Sequence, residues 1–196
     1  MADTLTIVVL GDSVPAGERT EATRWPDRLP DLVEELADAT VDVRGGMGTA
    51  LADLAAEVDA IPADPDDAES LLVLVHAGHN DAQLRGGEPR VAEAAFREAA
   101  ATLDGALAAH PAVARHAFVG LVPLLPRDEP GSVPFGDEQP ARALAYDDAL
   151  GETVATHLPV ARPVADWDER TADGVHPNGT GHAAVAERVA AWLSRT

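Results

Sequence analysis

"LLVLVHAGHND", residues 71–81, opens with an almost wholly apolar run and turns at once into a Gly-His-Asn-Asp cluster. A strand with one wet face alternates apolar and polar residues; this one does not, so both of its faces must be covered. That pattern marks a central strand of a parallel sheet. Four further runs read as strands: 5–10 (LTIVVL), 40–44 (TVDVR), 117–122 (AFVGLV) and 162–166 (RPVAD). Helical patterns separate them. Leu29, Leu32, Val33 and Leu36 recur at i, i+3, i+4 and i+7, and Val185, Val189, Trp192 and Leu193 share one helical face. The Ala-rich segments 89–109 and 140–157 also read as helices. Strands that alternate with helices predict an α/β protein with three layers, α/β/α, around a five-stranded parallel sheet. The 196 residues suit one domain spanning 1–196. Residues 123–140, with five prolines, form the one long irregular loop.

Topology then decides which loops meet. With strand order 2-1-3-4-5, the chain reverses direction between strands 1 and 3, and ligands bind outside the carboxyl ends at that switch point. Gly11-Asp12-Ser13 follows strand 1 and Gly78-His79-Asn80-Asp81 follows strand 3, so this order makes them neighbours.

Charge narrows the partners. Asp and Glu number 34 against 14 basic residues, a formal net charge of −20, and every basic residue is Arg. The acids are spread over candidate helices and loops, as in "DLVEELADA" and "PADPDDAES". So strong a charge repels itself at low salt, while in molar salt the screening length falls to roughly 3 Å. An excess of Asp with abundant Ala and no Lys resembles the proteins of salt-accumulating halophiles. Nucleic acid and anionic membranes are polyanions and are not expected partners. With no cysteine, disulfides and thiolate chemistry are excluded. "MADTLTIVVLGDS" has no basic leader, and no apolar segment approaches the ~20 residues that span a bilayer. The expected location is the cytoplasm, with the oligomeric state left open.

Acyl transfer through serine needs a nucleophile, a base, an orienter for the base and donors for the oxyanion. Ser13 is the candidate nucleophile, although serine there also suits a helix N-cap. His176 is the candidate base and Asp173, three residues earlier in "DGVHPNGTGH", its orienter; Asp-Gly is also an ordinary turn dipeptide. Asn80 and Gly48, the latter in "RGGMGT", are candidate oxyanion donors, and both residue types are common in loops. Asp12 and Asp81 read as loop supports. His79 reads as either a substrate contact or a solvent-facing residue, His182 as a surface residue, and Trp25 and Trp167 as core or rim.

Taken together and in this order, the four clusters resemble the SGNH (GDSL-type) hydrolase family over nearly the whole chain. "GDSVPAG", "VRGGMGT", "GHND" and "DGVHP" are similar to its successive blocks. The resemblance implies a flavodoxin-like sheet order and metal-free, cofactor-free hydrolysis of an acyl ester. It implies a triad of Ser13, His176 and Asp173 and an oxyanion hole of the Ser13 N–H, Gly48 N–H and Asn80 side chain. Val43 stands where the second block usually has Asn, and a slip in register would bring Gly45 or Gly46 into the donor position. A chain this short leaves little room for a lid, which favours short acyl groups. Two other readings remain: an acyltransferase or acyl-ligand-binding protein on the same fold, and a metallophosphoesterase, whose motifs "GD" and "GHND" echo only in part.

Overall fold

The computed structural model describes residues 5–61, 71–128, 130 and 132–195. The "MADT" start, the acidic stretch 62–70 and two positions of the Pro-rich loop, 129 and 131, lie outside the described residues. Five parallel strands make the main sheet: β1 (Thr6–Asp12), β2 (Thr40–Gly46), β3 (Leu71–His76), β6 (Val113–Val119) and β7 (His157–Leu158). Their order is β2-β1-β3-β6-β7, which is the expected 2-1-3-4-5 of the sheet strands. A separate two-stranded ribbon, β4 (Leu84–Arg85) with β5 (Glu88–Pro89), is inserted after β3.

Strand side chains alternate in direction, so an all-apolar strand feeds two cores at once. Val73 and Val75 of β3 pack with Val8, Leu10 and Phe118 on one face, beneath α5 (Glu93–Ala109) and α6 (Gln139–Thr153). Leu72 and Leu74 pack with Ile7, Val9 and Val119 on the other, against Trp25, Trp167 and α7 (Gly179–Leu193). Phe96, Ala100, Leu103 and Leu107 give α5 a buried stripe at helical spacing. Trp25 and Trp167 are both fully buried. Val43, paired with Val9 across β1–β2, packs against this second apolar layer.

Three expectations are corrected. Residues 162–166 are not the fifth strand; Val164–Asp168 forms a 3-10 turn, and His157–Leu158 takes the sheet edge. Pro163 has no N–H for a ladder, whereas Phe118 N–H already donates to Thr156 O at 2.9 Å and Gly120 N–H to Leu158 O at 2.9 Å. The fourth sheet strand runs over 113–119 rather than 117–122. Beyond Gly120 the backbone stays buried, but its N–H groups go to side chains: Leu121 to Asp147 Oδ1 at 3.0 Å and Val122 to His79 Nε2 at 3.0 Å. The helix expected over Leu29–Leu36 breaks at Val33, whose backbone is extended, into α2 (Leu29–Leu32) and a 3-10 turn, Glu34–Leu36. Leu29, Val33 and Leu36 are buried, as the spacing predicts, while Leu32 faces outward.

Candidate active site

The site starts where β1 stops. Asp12 keeps an extended backbone and its Oδ1 accepts the Val14 N–H at 2.9 Å, capping the single turn α1 (Ser13–Ala16). The cap is therefore Asp12, and Ser13, which the sequence also allowed as a cap, is left with its hydroxyl uncommitted to the helix. That hydroxyl meets His176: Oγ lies 3.0 Å from Nε2.

A single carboxylate builds the histidine's turn and aims its ring. Asp173 Oδ1 accepts the backbone N–H of Val175 at 3.0 Å and of His176 at 2.8 Å. Its Oδ2 accepts from His176 Nδ1 at 2.8 Å, which leaves Nε2 as the acceptor for the Ser13 hydroxyl. Burial pushes the Asp173 carboxyl up, but the His176 side chain and the two backbone N–H groups outweigh it and hold it well below the usual range. Arg19 Nη1 also donates to Oδ2, at 3.2 Å.

The loop after β2 closes the other side. Gly45 sits at φ +101, and a Cβ there would lie 1.9 Å from the Gly11 carbonyl oxygen, so only glycine lets β2 approach β1 this closely. Gly46 N–H donates to Thr49 Oγ1 at 3.2 Å. Asn80 Nδ2 donates to Thr49 O at 3.0 Å, Arg90 Nη2 to Gly48 O at 2.9 Å, and Leu51 N–H to the Asp81 carboxylate at 3.1 Å. Burial pushes the Asp81 carboxyl up to about 6. Ser13, Gly48, Asn80 and His176 line one pocket of about 220 Å³, and neither Gly45 nor Gly46 reaches it. A larger groove beside Arg162 and Arg188 holds none of these residues.

Of the two readings of His79, the solvent-facing one is corrected: the residue is buried, and it stands among those that line the pocket. Its Nδ1 lies 2.8 Å from Asp12 Oδ2 and its Nε2 accepts from Val122, so one nitrogen braces the Asp12–Ser13 turn and the other the backbone that follows β6. His182 is not a surface residue either. It is fully buried, and its Nδ1 accepts the Trp25 N–H at 3.3 Å. Burial, then the nearby Arg28 and Arg24, lower its pKa to about 4. The charged residues of the pocket, Arg19, Arg85 and Arg90, all escaped the sequence reading, as did Gln83. A "RGGEP" hairpin signal at 85–89 points to the ribbon that carries two of them; Arg19 has no local signal.

Buried histidines of low pKa make stability pH-dependent. Between pH 6.5 and about 4 the unfolded chain takes up a proton that folded His182 refuses, so stability falls as pH drops through that window. The loss assignable to His182 between pH 7 and pH 5 is on the order of 2 kcal/mol. Urea unfolding at both pH values is expected to show a smaller drop for His182→Asn, whose Oδ1 can still accept from Trp25; an unchanged drop would refute the assignment.

A sequence model of the GDSL-like lipase/acylhydrolase family matches residues 9–184. The chain belongs to that family. It is thus a hydrolase of the GDSL type. It is 29% identical to a GDSL lipase of Mycobacterium tuberculosis over 96% of this chain and 81% of that protein. Among solved structures it is similar to an alpha/beta hydrolase enzyme from the Lake Arreo metagenome, at TM-score 0.69 and 20% identity, covering 99% of this chain and 97% of that one. It is also similar to a catalytic mutant of an acetylxylan esterase from Geobacillus stearothermophilus, at TM-score 0.70 and 18% identity, covering 96% and 94%. Among the described residues, no helix of this GDSL hydrolase is long and apolar enough to cross a membrane.

Proposed function

We propose that this GDSL hydrolase cleaves short-chain carboxylic esters, with Ser13 as nucleophile, His176 as base and Asp173 as its orienter. One observation carries the reading: Ser13 Oγ lies 3.0 Å from His176 Nε2, a contact made across 163 residues of sequence, while His176 Nδ1 lies 2.8 Å from Asp173 Oδ2. His176 Nε2 takes the hydroxyl proton as Oγ bonds to the ester carbonyl carbon. The carbonyl oxygen, now anionic, is met by the Ser13 N–H, the Gly48 N–H and the second Asn80 amide hydrogen, the first being spent on Thr49 O. The proton on His176 passes to the departing alkoxide as its C–O bond breaks. Water then attacks the acyl-serine in the same way, and the carboxylic acid leaves with Ser13 restored. A pocket of about 220 Å³ with three arginines among its walls favours a short acyl group over a long lipid chain.

The test is a series of 4-nitrophenyl esters from acetate to palmitate, in dilute and in molar KCl. Short-chain turnover that ignores EDTA supports the reading; a preference for palmitate overturns its chain-length part. Asn80→Ala is expected to lower kcat by about 10²–10³-fold with little change in KM, the effect of losing one oxyanion donor. A rise in KM at constant kcat would assign Asn80 to ground-state binding instead.

A further inference from the structure

The charged members of this pocket have the wrong sign for the protein. Acidic residues outnumber basic ones 34 to 14 in the chain, yet the charged residues lining the pocket are Arg19, Arg85 and Arg90, with no carboxylate among its walls. In a molecule of net charge −20, a local cluster of guanidinium groups opposes the overall field, which repels anions.

The elements carrying these arginines are built. Arg85 precedes a two-residue Gly86-Gly87 turn whose residues both have positive φ, +62 and +87, the geometry of a tight hairpin, and Arg90 directly follows the returning strand β5. Gln139, fully buried at the start of α6, clamps the ribbon at its base: its Oε1 accepts the Leu84 N–H at 2.8 Å and its Nε2 donates to Ala82 O at 3.0 Å. Arg90 N–H donates to Gln83 O at 2.8 Å, closing the base from the other side. Opposite, Arg19 holds a left-handed backbone, φ 58, unusual for a residue with a side chain, and its guanidinium reaches Asp173. Arg19 is thus charge-balanced by Asp173 and Arg90 is engaged by the Gly48 carbonyl. Arg85 is exposed and makes no ion pair within 4 Å among the described residues, even with its cross-ribbon partner Glu88.

We infer that the ribbon β4–β5 is a specificity element, and that Arg85, with Arg90 beside it, selects esters carrying an anionic oxygen group, a carboxylate or a phosphate, on the part of the substrate that leaves the pocket mouth. Guanidinium is suited to either group, since its planar fork meets two oxygens at once. The inference rests on the reading of Ser13 as nucleophile only for where the scissile bond lies; the charge preference is a binding property.

Binding therefore tests it without turnover. The Ser13→Ala protein is titrated calorimetrically with monomethyl adipate and with dimethyl adipate, a pair that differs by one negative charge, and with methyl phosphate to compare the two anions. The mono-acid is expected to bind about 10-fold more tightly than the diester at low ionic strength, a difference of about 1.4 kcal/mol, and the gap should narrow as salt is added. Adding Arg85→Gln is expected to shrink the ratio towards one, with Arg85→Lys retaining part of it. Equal binding of the two esters, or a ratio untouched by Arg85→Gln, overturns the inference. Hydrolysis by the Ser13 protein is followed separately, so a failed nucleophile assignment and a failed charge preference give different results.

Discussion

Ser13→Ala is expected to remove ester hydrolysis almost completely, lowering kcat by about 10⁵-fold or more while leaving the protein folded. The reason is chemical rather than structural. Ser13 contributes no cap to its helix, because Asp12 does that, so alanine fits the turn. What disappears is the hydroxyl proposed to attack the carbonyl, which is also the partner of His176 Nε2. Losing that hydrogen bond costs stability only on the order of 1 kcal/mol. Steady-state turnover of 4-nitrophenyl acetate, read beside a thermal unfolding curve, checks both halves. Residual activity within tenfold of wild type would mean that another group attacks the ester. A large loss of Tm would mean that Ser13 holds the turn after all.

Asp173→Asn is expected to cost about 10⁴-fold in kcat, from a change of one atom. The carboxylate accepts three hydrogen bonds from its own turn, two from the backbone N–H groups of Val175 and His176 and one from His176 Nδ1. An amide has one oxygen. If it keeps the backbone pair, its NH₂ faces His176 and forces the proton onto Nε2, where it can no longer receive one from Ser13. Arg19 would lose its counter-charge as well. The folded Asp173 carboxyl sits well below its ordinary value, so the stability it contributes is present above the unfolded pKa and is lost only in strong acid. The substitution should therefore destabilise the protein at neutral pH as well as inactivate it. Turnover near wild type at pH 7 would refute the orienting role.

Most of the architecture was legible because it follows from short-range chemistry. An apolar run with no alternation, 71–76, cannot face water on either side, so it must be central and parallel. The clusters Gly11-Asp12-Ser13 and Gly78-His79-Asn80-Asp81 follow their strands directly in the chain and the strand order makes them neighbours, whereas the need for glycine at Gly45 arises only from its approach to Gly11 in the adjacent strand. Errors fell where local pattern and tertiary context disagreed. Residues 162–166 look like a strand, but the edge of the sheet is taken by a two-residue strand, His157–Leu158, too short to leave a period. The well-spaced pattern of Leu29–Leu36 is interrupted at Val33, whose extended backbone separates a short helix from a 3-10 turn, and the spacing of its apolar residues gives no sign of it.

Residue types and their short-range spacing were enough for the layered α/β plan, the surplus of negative charge, and the choice of Ser13, Gly48 and Asn80 after strands and of Asp173 and His176 before the last helix. Each of these depends on residue type and on spacing within a few positions. Only the tertiary structure decided that Asp12 rather than Ser13 caps the turn, that His79 and His182 are buried partners of that turn and of Trp25, and that Arg19, Arg85 and Arg90 converge on one pocket. Apart from the cap itself, which spans two residues, those are contacts between segments tens to more than a hundred residues apart. Their free energy depends on distance and burial in the folded chain, quantities that no local pattern carries.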